Sequence, residues 1–187
     1  MTDFRNINKS WTLFLDRDGV INHETVGDYI TVWQDFRFYE GVKDALKIFA
    51  SVFGRIIIIT NQRGVSKGLM TEQDLLDIHH SMVKEIEAAG GRIDKIYYCL
   101  DMDNNSPYRK PNPGMGYKAK RDFPEIDFAK TLMIGNTMGD MQFGKNLGTQ
   151  TIFIPSNRTA PVLPDPFTDA IYPSLIDVAR EIVISHN

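Results

Sequence analysis

Residues 55–60 read RIIIIT, and the four consecutive isoleucines indicate the kind of sheet to expect. Isoleucine is β-branched and favours strands, and a run without polar alternation is typical of a strand covered on both faces. Residues 71–89 then place apolar side chains at helical spacing, with Thr71 available as the N-cap and two glycines at the end. The apolar positions of this helix are Leu75, Ile78, Met82 and Ile86. A buried strand followed by an amphipathic helix is the repeating unit of parallel α/β sheets.

The same alternation of strand and helix patterns continues on both sides of this unit. Strands are predicted at residues 12–15, within 93–100, at 131–134 and at 151–154, and helices at 41–52, 114–121 and 174–184. This order predicts an α/β fold, a three-layer doubly wound parallel sheet with helices on both faces. We expect a single domain spanning residues 1–187. We expect no cap domain, because the segment between Asp18 and Gly41 is too short to form one.

The composition narrows the class of protein. The 187 residues are 42% hydrophobic and 24% charged with a net charge of -3, which is typical of a globular protein and offers nucleic acid no basic surface. Residues 1–11 lack the apolar stretch of a signal peptide, and apolar runs such as residues 56–59 are far too short to span a bilayer. We therefore expect a cytoplasmic protein with no membrane or nucleic-acid partner.

Polar and charged side chains cluster where four of the predicted strands end. They are Asp16 and Asp18 after the first strand, Thr60 and Asn61 at the second, Arg109 and Lys110 beyond the third, and Asn136 and Asp140 after the fourth. Taken singly, each is typical of a turn or a helix cap. Ligands of parallel α/β sheets bind at the carboxyl ends of the strands, so these side chains are expected to meet. Together they offer a nucleophile, donors for phosphoryl oxygens, a cation and metal ligands, which is the chemistry of phosphoryl transfer.

Four motifs at these strand ends resemble those of the haloacid dehalogenase superfamily. They are LFLDRDGV at residues 13–20, TNQ at 60–62, RKP at 109–111 and IGNTMGDM at 134–141. Within the superfamily the sequence is most similar to the branch of heptose bisphosphate phosphatases and histidinol-phosphate phosphatases, which FYEGV at 38–42 and TNQRGVSKG at 60–68 also support. The resemblance covers roughly residues 11–154. It implies a Rossmann-like sheet and a magnesium-dependent phosphatase that forms an aspartyl-phosphate.

The resemblance implies roles for individual residues. Asp16 matches the nucleophile, and Asp18 matches the general acid that later acts as a base. Thr60 and Asn61 match the phosphoryl-binding positions, and Lys110 matches the lysine that neutralises nucleophile and phosphate. The implied magnesium ligands are Asp16, the backbone carbonyl of Asp18, Asn136 and Asp140.

Substrate recognition is expected from the loops around the site, since a cap domain is not expected. Arg109 matches a position that this branch uses to recognise substrate. With Arg63 and Lys67 it would give these loops a positive face, which suits a substrate with a second anionic group. The loops expected to set specificity lie near residues 22–34, 63–67 and 101–109.

The sequence departs from the family at a zinc-binding loop. Heptose bisphosphate phosphatases usually carry cysteines and a histidine after the third strand, but here Cys99 is the only cysteine and residues 100–109 contain no histidine. We therefore predict no zinc. The adjacent His79 and His80 cannot share a metal at i, i+4 spacing, so we expect one packed and one solvated histidine.

A second departure concerns Asn136, where the family usually has aspartate. The neutral amide predicts weaker magnesium binding, so that Asn136→Asp should tighten it. Alternatively, Asp140 is the direct ligand, or the protein is a catalytically silent phosphate-binding relative.

The leading hypothesis is a monomeric phosphatase of a sugar bisphosphate, D-glycero-D-manno-heptose 1,7-bisphosphate first, with histidinol phosphate as the alternative. A receiver domain of a signalling protein also combines acids, threonine and lysine on a parallel sheet. Such a domain has an adjacent acid pair after its first strand, whereas Arg17 separates the pair here, and its phospho-acceptor follows a third strand that here ends in YYC.

Overall fold

A computed structural model describes residues 4–24 and 29–186, and its centre is a six-stranded sheet. The strands are β1 (Thr12–Leu15), β2 (Arg55–Asn61), β3 (Lys95–Cys99), β4 (Thr131–Gly135), β5 (Gln150–Phe153) and β6 (Ala170–Ile171). Their spatial order is β3-β2-β1-β4-β5-β6, and every pairing is parallel. The order reverses at β1, which confirms the doubly wound arrangement.

Six α-helices connect and cover the strands. They are α1 (Val42–Val52), α2 (Arg63–Ser66), α3 (Glu72–Ala88), α4 (Gly114–Asp122), α5 (Met138–Leu147) and α6 (Leu175–Ser185). Short 3-10 turns occupy Phe4–Asn6, Trp33–Asp35 and Phe128–Lys130. Helix α3 begins as predicted, because Thr71 Oγ1 accepts from the Asp74 amide at 3.1 Å and the Thr71 amide donates to Asp74 Oδ2 at 2.8 Å. This reciprocal capping box satisfies donors that the first turn of a helix leaves free.

The two faces of the sheet carry separate hydrophobic clusters, since alternate side chains of a strand point to opposite faces. Leu13 and Leu15 of β1 pack in the cluster that contains the apolar residues of α1, α3 and α6. Phe14 lies in the other cluster, with apolar residues of α4 and α5. The four isoleucines of β2 are fully buried and divide between the clusters in the same way. The fold therefore has the three layers that the sequence predicts.

Helix α5, the short helix α2 and the two-residue strand β6 are elements that the sequence patterns do not predict. Helix α5 contains Gly139 and Gly144, which weaken a helical pattern. Gly144 is required by packing, because a Cβ there would lie 2.5 Å from Thr151 Cγ2 on β5. Helix α5 is thus specified by its contacts with the sheet.

The connection from β1 to α1 forms no cap domain within the described residues. It passes through isolated bridges that link Asn22 to Asp18 and to Phe38, and then through the 3-10 turn at Trp33–Asp35. Part of the loop expected to contribute specificity, residues 25–28, lies outside the described residues. None of the described helices combines the length and apolar character needed to cross a bilayer.

Candidate active site

The carboxyl ends of β1, β2 and β4 meet at one edge of the sheet, because Leu15 pairs in register with Ile58 on one side and Ile134 on the other. A cavity of about 340 Å³ opens at this edge. The predicted site residues in its lining are Asp16, Asp18, Thr60, Asn61, Arg109, Lys110, Asn136 and Asp140. Arg63 and Lys67 are not part of the lining, whereas Glu24 and Arg158, which the sequence did not single out, are.

Lys110 joins the first and fourth motifs of the site. Its buried ammonium lies 2.9 Å from Asp16 Oδ1 and 2.6 Å from Asp140 Oδ1, and it donates to the carbonyl of Ile59 at 2.7 Å. Three acceptors thus satisfy its three donors. Burial alone would lower the pKa of Lys110, but the charges of Asp140 and Asp16 outweigh burial and raise it. Lys110 is therefore a fixed positive charge between two carboxylates.

Asp16 lies directly after β1 with its carboxylate almost enclosed. Burial and the charge of Asp140 raise the pKa of Asp16 to about 7, although Lys110 acts in the opposite direction. A second cation beside Asp16 would favour the ionised, nucleophilic form. The electrostatics of this carboxylate therefore suit a site that binds a divalent metal.

Asp18 is held by three neighbouring side chains. Arg17 Nη2 and Asn22 Nδ2 donate to Asp18 Oδ1 at 2.8 and 3.0 Å, and Gln62 Nε2 donates to Asp18 Oδ2 at 2.7 Å. Burial would raise the pKa of Asp18, but the charge of Arg17 and these hydrogen bonds outweigh burial and lower it. Asp18 is therefore ionised at neutral pH in this arrangement.

Arg17 connects Asp18 to a buried histidine on α3. Arg17 is 1% exposed, and its Nη1 lies 3.1 Å from His79 Nε2. A guanidinium can only donate, so His79 accepts through Nε2 and is neutral. Burial, with the charge of Arg17, lowers the pKa of His79 to about 3. The expectation of one packed and one solvated histidine is confirmed, since His79 is buried and His80 exposed, but the link to Arg17 was not predicted.

Thr60 and Asn61 end β2 with different contacts. Gln62 Nε2 donates to Thr60 Oγ1 at 2.9 Å, so this hydroxyl keeps its own proton for another acceptor. Asn61 Oδ1 accepts from the Lys110 amide at 3.1 Å, and Asn61 Nδ2 donates to the Lys110 carbonyl at 3.2 Å. Asn61 therefore fixes the backbone that carries Lys110.

Asp140 is both a helix cap and a partner of Lys110. Its Oδ2 accepts from the Thr137 amide at 3.0 Å, from Thr137 Oγ1 at 2.7 Å and from the Asn136 amide at 3.2 Å. Its Oδ1 faces Lys110. Both oxygens of Asp140 thus already have hydrogen-bond partners. In this motif, Asn136 therefore has the side-chain oxygen that is more available as a metal ligand.

Asn136 is fully buried and bonded on one side only. Its Nδ2 donates to Glu24 Oε1 at 2.7 Å, while its Oδ1 accepts no hydrogen bond from residues 4–24 or 29–186. Glu24 is held in turn by Arg158, whose Nε and Nη2 donate to its two oxygens at 2.8 Å each. The strand-end rule, applied to β5, would have found Arg158, which follows that strand.

The three predicted basic residues lie in different places. Arg109 lines the cavity, and no described residue accepts a hydrogen bond from its buried Nη1. Arg63 instead donates to the carbonyl of Met102 at 2.7 Å. The Nζ atom of Lys67 lies 5.0 Å from the ring centre of Tyr29. Of the three, only Arg109 is placed to meet a ligand beside Asp16.

The residues present fit a divalent cation with oxygen ligands. No three His, Cys, Asp or Glu side chains of the described ranges form a ready-made cage, so a cation here must use neutral oxygens as well. Asn136 Oδ1 is a buried oxygen with no described donor, and it lines the same cavity as the Asp16 carboxylate. Carboxylate and amide oxygens are ligands that suit Mg²⁺.

Comparison with known proteins agrees with this geometry. The sequence pattern of the family described as polynucleotide kinase 3 phosphatase matches residues 12–156. The D-glycero-alpha-D-manno-heptose-1,7-bisphosphate 7-phosphatase of Mycobacterium bovis is 34% identical over 138 residues, which is 73% of either chain. The chain belongs to the haloacid dehalogenase phosphatases, in the heptose bisphosphate phosphatase branch. As a haloacid dehalogenase phosphatase, it is a phosphoric monoester hydrolase.

Two further comparisons place this phosphatase within its branch. The enzyme of the same name from Campylobacter jejuni is 36% identical over 146 residues, 78% of this chain and 83% of that one. The structure of D,D-heptose 1,7-bisphosphate phosphatase from B. bronchiseptica, complexed with magnesium and phosphate, superimposes with a TM-score of 0.84. It covers 93% of this chain and 98% of that chain at 24% identity, so it supports the fold.

Proposed function

We propose that this phosphatase removes the 7-phosphate of D-glycero-D-manno-heptose 1,7-bisphosphate through an aspartyl-phosphate on Asp16, with magnesium bound. The observation that carries the proposal is the placement of Asp16. This carboxylate lies directly after the central strand β1, 2.9 Å from Lys110, and opens into the cavity that also holds Asp18 and Thr60. The names of the curated relatives support the substrate.

In the first half-reaction an Asp16 oxygen would attack phosphorus, and the bond between phosphorus and the sugar oxygen would break. Lys110 would neutralise charge on Asp16 and on the transferred group, since its ammonium is already fixed beside the nucleophile. Thr60 would donate its hydroxyl proton to a phosphoryl oxygen, because the Gln62 amide already occupies one of its acceptor positions.

Asp18 would give a proton to the departing sugar oxygen and then take one from the attacking water, which releases phosphate from Asp16. The hydrogen bonds from Arg17, Asn22 and Gln62 favour the ionised form of Asp18. The ionised form is the one that can take a proton from water, so this arrangement suits the second step. The acid step requires that substrate binding weaken this network enough for Asp18 to carry a proton.

Asp16, the Asp18 backbone carbonyl and Asn136 would hold the magnesium ion, whose charge stabilises the phosphoryl oxygens when it is bound. Asp140, also implied as a ligand, would act mainly through Lys110 and the cap of α5, because both its oxygens have partners. Arg109, with its unpaired buried Nη1, would bind an anionic group of the substrate.

The test is a panel of phosphate esters scored by kcat/KM with magnesium present. It contains both anomers of the heptose bisphosphate, histidinol phosphate, and an oligonucleotide 3′-phosphate to represent the matched family description. We expect a heptose bisphosphate to be hydrolysed best. If histidinol phosphate is preferred, the alternative substrate is correct, and if nothing is hydrolysed the protein is a silent relative.

Asp16→Asn provides the matching mechanistic test. We expect it to lower kcat by ~10³-fold or more, because no other group can form the covalent intermediate. Glu125→Gln, which breaks an exposed ion pair with Arg55, serves as the control and should leave kcat unchanged. Substantial activity of Asp16→Asn, with deamidation excluded by mass spectrometry, would contradict the assignment.

A further inference from the structure

The side-chain amide of Asn136 has only one orientation that its surroundings permit. Its neighbour at 2.7 Å is Glu24 Oε1, an oxygen that also accepts from Arg158 Nε at 2.8 Å. The NH₂ group of Asn136 must therefore face Glu24. The carbonyl oxygen Oδ1 consequently points the opposite way, where no described donor meets it.

The contact between Glu24 and Asn136 is closely packed. Gly19 lies against it, and a Cβ at this position would fall 1.8 Å from Asn136 Nδ2 and 2.9 Å from Glu24 Oε1. Gly19 also has a φ of +82°, which side chains rarely adopt. Arg158 donates to both oxygens of Glu24 and holds this side chain in place. Backbone, glutamate and arginine together leave Asn136 no room to rotate freely.

We propose that Glu24 is a positioning residue that turns Asn136 Oδ1 toward the magnesium site, and that Glu24 and Asn136 form a matched pair. The pair carries one carboxylate, placed at residue 24, and one amide, placed at residue 136. The proposal rests on the magnesium-dependent function proposed above. It concerns the loop after β1, to which the motifs of the sequence assign no such role.

The matched pair changes the expectation for Asn136→Asp. The sequence alone predicts tighter magnesium binding, but an aspartate at residue 136 would place a second carboxylate at hydrogen-bond distance from Glu24, and two like charges this close oppose each other. The benefit of the new charge should therefore appear only when residue 24 is neutral. Glutamine at residue 24 can donate to an aspartate at residue 136, which restores the hydrogen bond with its direction reversed.

The experiment is a double-mutant cycle of wild type, Glu24→Gln, Asn136→Asp and the double variant. Magnesium dissociation constants are measured by calorimetry, and thermal unfolding midpoints are measured without metal in excess chelator. Steady-state kinetics separate half-saturating magnesium from the KM for substrate. Glu125→Gln is the matched control, since it also removes the charge of a glutamate that is bonded to an arginine, Arg55.

We expect Glu24→Gln to weaken magnesium binding ~10-fold, a usual effect of removing a partner of a metal ligand. The KM for substrate at saturating magnesium should not change, and Glu125→Gln should bind magnesium as wild type does. The double variant should recover the affinity to within ~3-fold of wild type or better. Without metal, Asn136→Asp alone should unfold ~3 °C or more below the double variant, because only the single variant opposes two carboxylates.

Additive effects of the two substitutions would overturn the proposal, as would a Glu24→Gln variant that behaves like Glu125→Gln. In those cases magnesium binding and turnover of the wild type would remain, so the proposed function would stand. If the wild type neither binds magnesium nor hydrolyses any ester, the proposed function fails and the positioning role fails with it. The two failures therefore give different results for the wild-type protein.

Discussion

Arg17 combines full burial with contacts on two sides. It binds Asp18 through Nη2 and His79 through Nη1, so a guanidinium without access to water is compensated by one anion and one neutral acceptor. Burial disfavours a protonated His79 and the charge of Arg17 opposes it as well, so the pKa of His79 is lowered to about 3. The orientation of Asp18 therefore depends on a histidine that remains neutral.

The neutral state of His79 predicts how stability depends on pH. Between pH 6.5 and about 3 the unfolded chain binds a proton at this histidine that the folded protein excludes. Above pH 6.5 this histidine therefore costs the folded protein no stability. As the pH falls below 6.5 the free energy of unfolding decreases, by up to about 1.4 kcal/mol per pH unit. We expect His79→Gln, which keeps an acceptor for Arg17, to flatten this dependence in denaturant titrations at pH 7.5, 6.5 and 5.5.

His80→Gln is the matched control, because the neighbouring histidine is exposed. It should unfold with the same pH dependence as the wild type. If His79→Gln and wild type lose stability equally between pH 6.5 and 5.5, then His79 is not the group responsible.

At the scale of elements, two capping boxes of the same chemistry have different consequences. Thr71 caps α3 together with Asp74 on the protein surface, and Thr137 caps α5 together with Asp140. Asp140 also faces Lys110, so the start of α5 is joined to Asp16 through one lysine. Thr137 therefore stabilises a helix and aligns the site at once.

Replacing each capping threonine by alanine separates these two effects. Thr71→Ala and Thr137→Ala should each lower the free energy of unfolding by about 1 kcal/mol, the usual cost of losing a cap. Only Thr137→Ala should also lower kcat/KM, because Asp140 loses the hydroxyl that orients it. Urea titration and steady-state kinetics on both variants provide the check, and equal activities would contradict the role of Thr137 in the site.

The loop between β3 and α4 is held by hydrogen bonds. Arg63 donates to the carbonyl of Met102 and to the side chain of Asn104, Ser106 donates to Asp101, and Asn112 Nδ2 donates to the carbonyl of Ser106 at 2.8 Å. These contacts give the loop a fixed course through ordinary polar side chains. In this chain Arg63 thus orders the loop that leads to Arg109.

We predict that this loop binds no zinc, because Cys99 has no cysteine or histidine partner in residues 100–109. Elemental analysis of protein purified without chelator should find no stoichiometric zinc, and a zinc-selective chelator should leave the activity unchanged. One tightly bound zinc per chain would contradict the prediction.

The sequence predicted those elements whose pattern is local. The isoleucine run of β2 and the capped, amphipathic α3 are recognisable without neighbours. Helix α5 and β6 are not, because their conformation depends on packing against the sheet. The same distinction holds in the site, where motif residues after β1, β2 and β4 were predicted. The contact between Glu24 and Arg158 was not predicted, since it forms only where the loops after β1 and β5 approach each other.

At the scale of the whole molecule, the proposed metal binding would be linked to folding stability. A ligand that binds only the folded protein stabilises it by about 2.7 kcal/mol at 100 times its dissociation constant. For a chain of this length, that predicts an unfolding midpoint roughly 5–10 °C higher in magnesium than in chelator. Asp16→Asn should lose most of the shift, whereas Glu125→Gln should retain it. An equal shift in wild type and Asp16→Asn would place the ion elsewhere.

The order of the strands also bears on how the protein is made. The central strand β1 can pair with β2 soon after both have been synthesised. Its other neighbour is β4, so Thr12 cannot pair with Thr131 until that distant strand has been made. Until then one edge of β1 is open, and contacts between such distant parts of a chain form slowly. The proposed nucleophile Asp16 belongs to the early half and Asp140 to the late half, with Lys110 between them. A nascent chain would therefore remain inactive, and in need of protection from aggregation, until β4 has left the ribosome and docked.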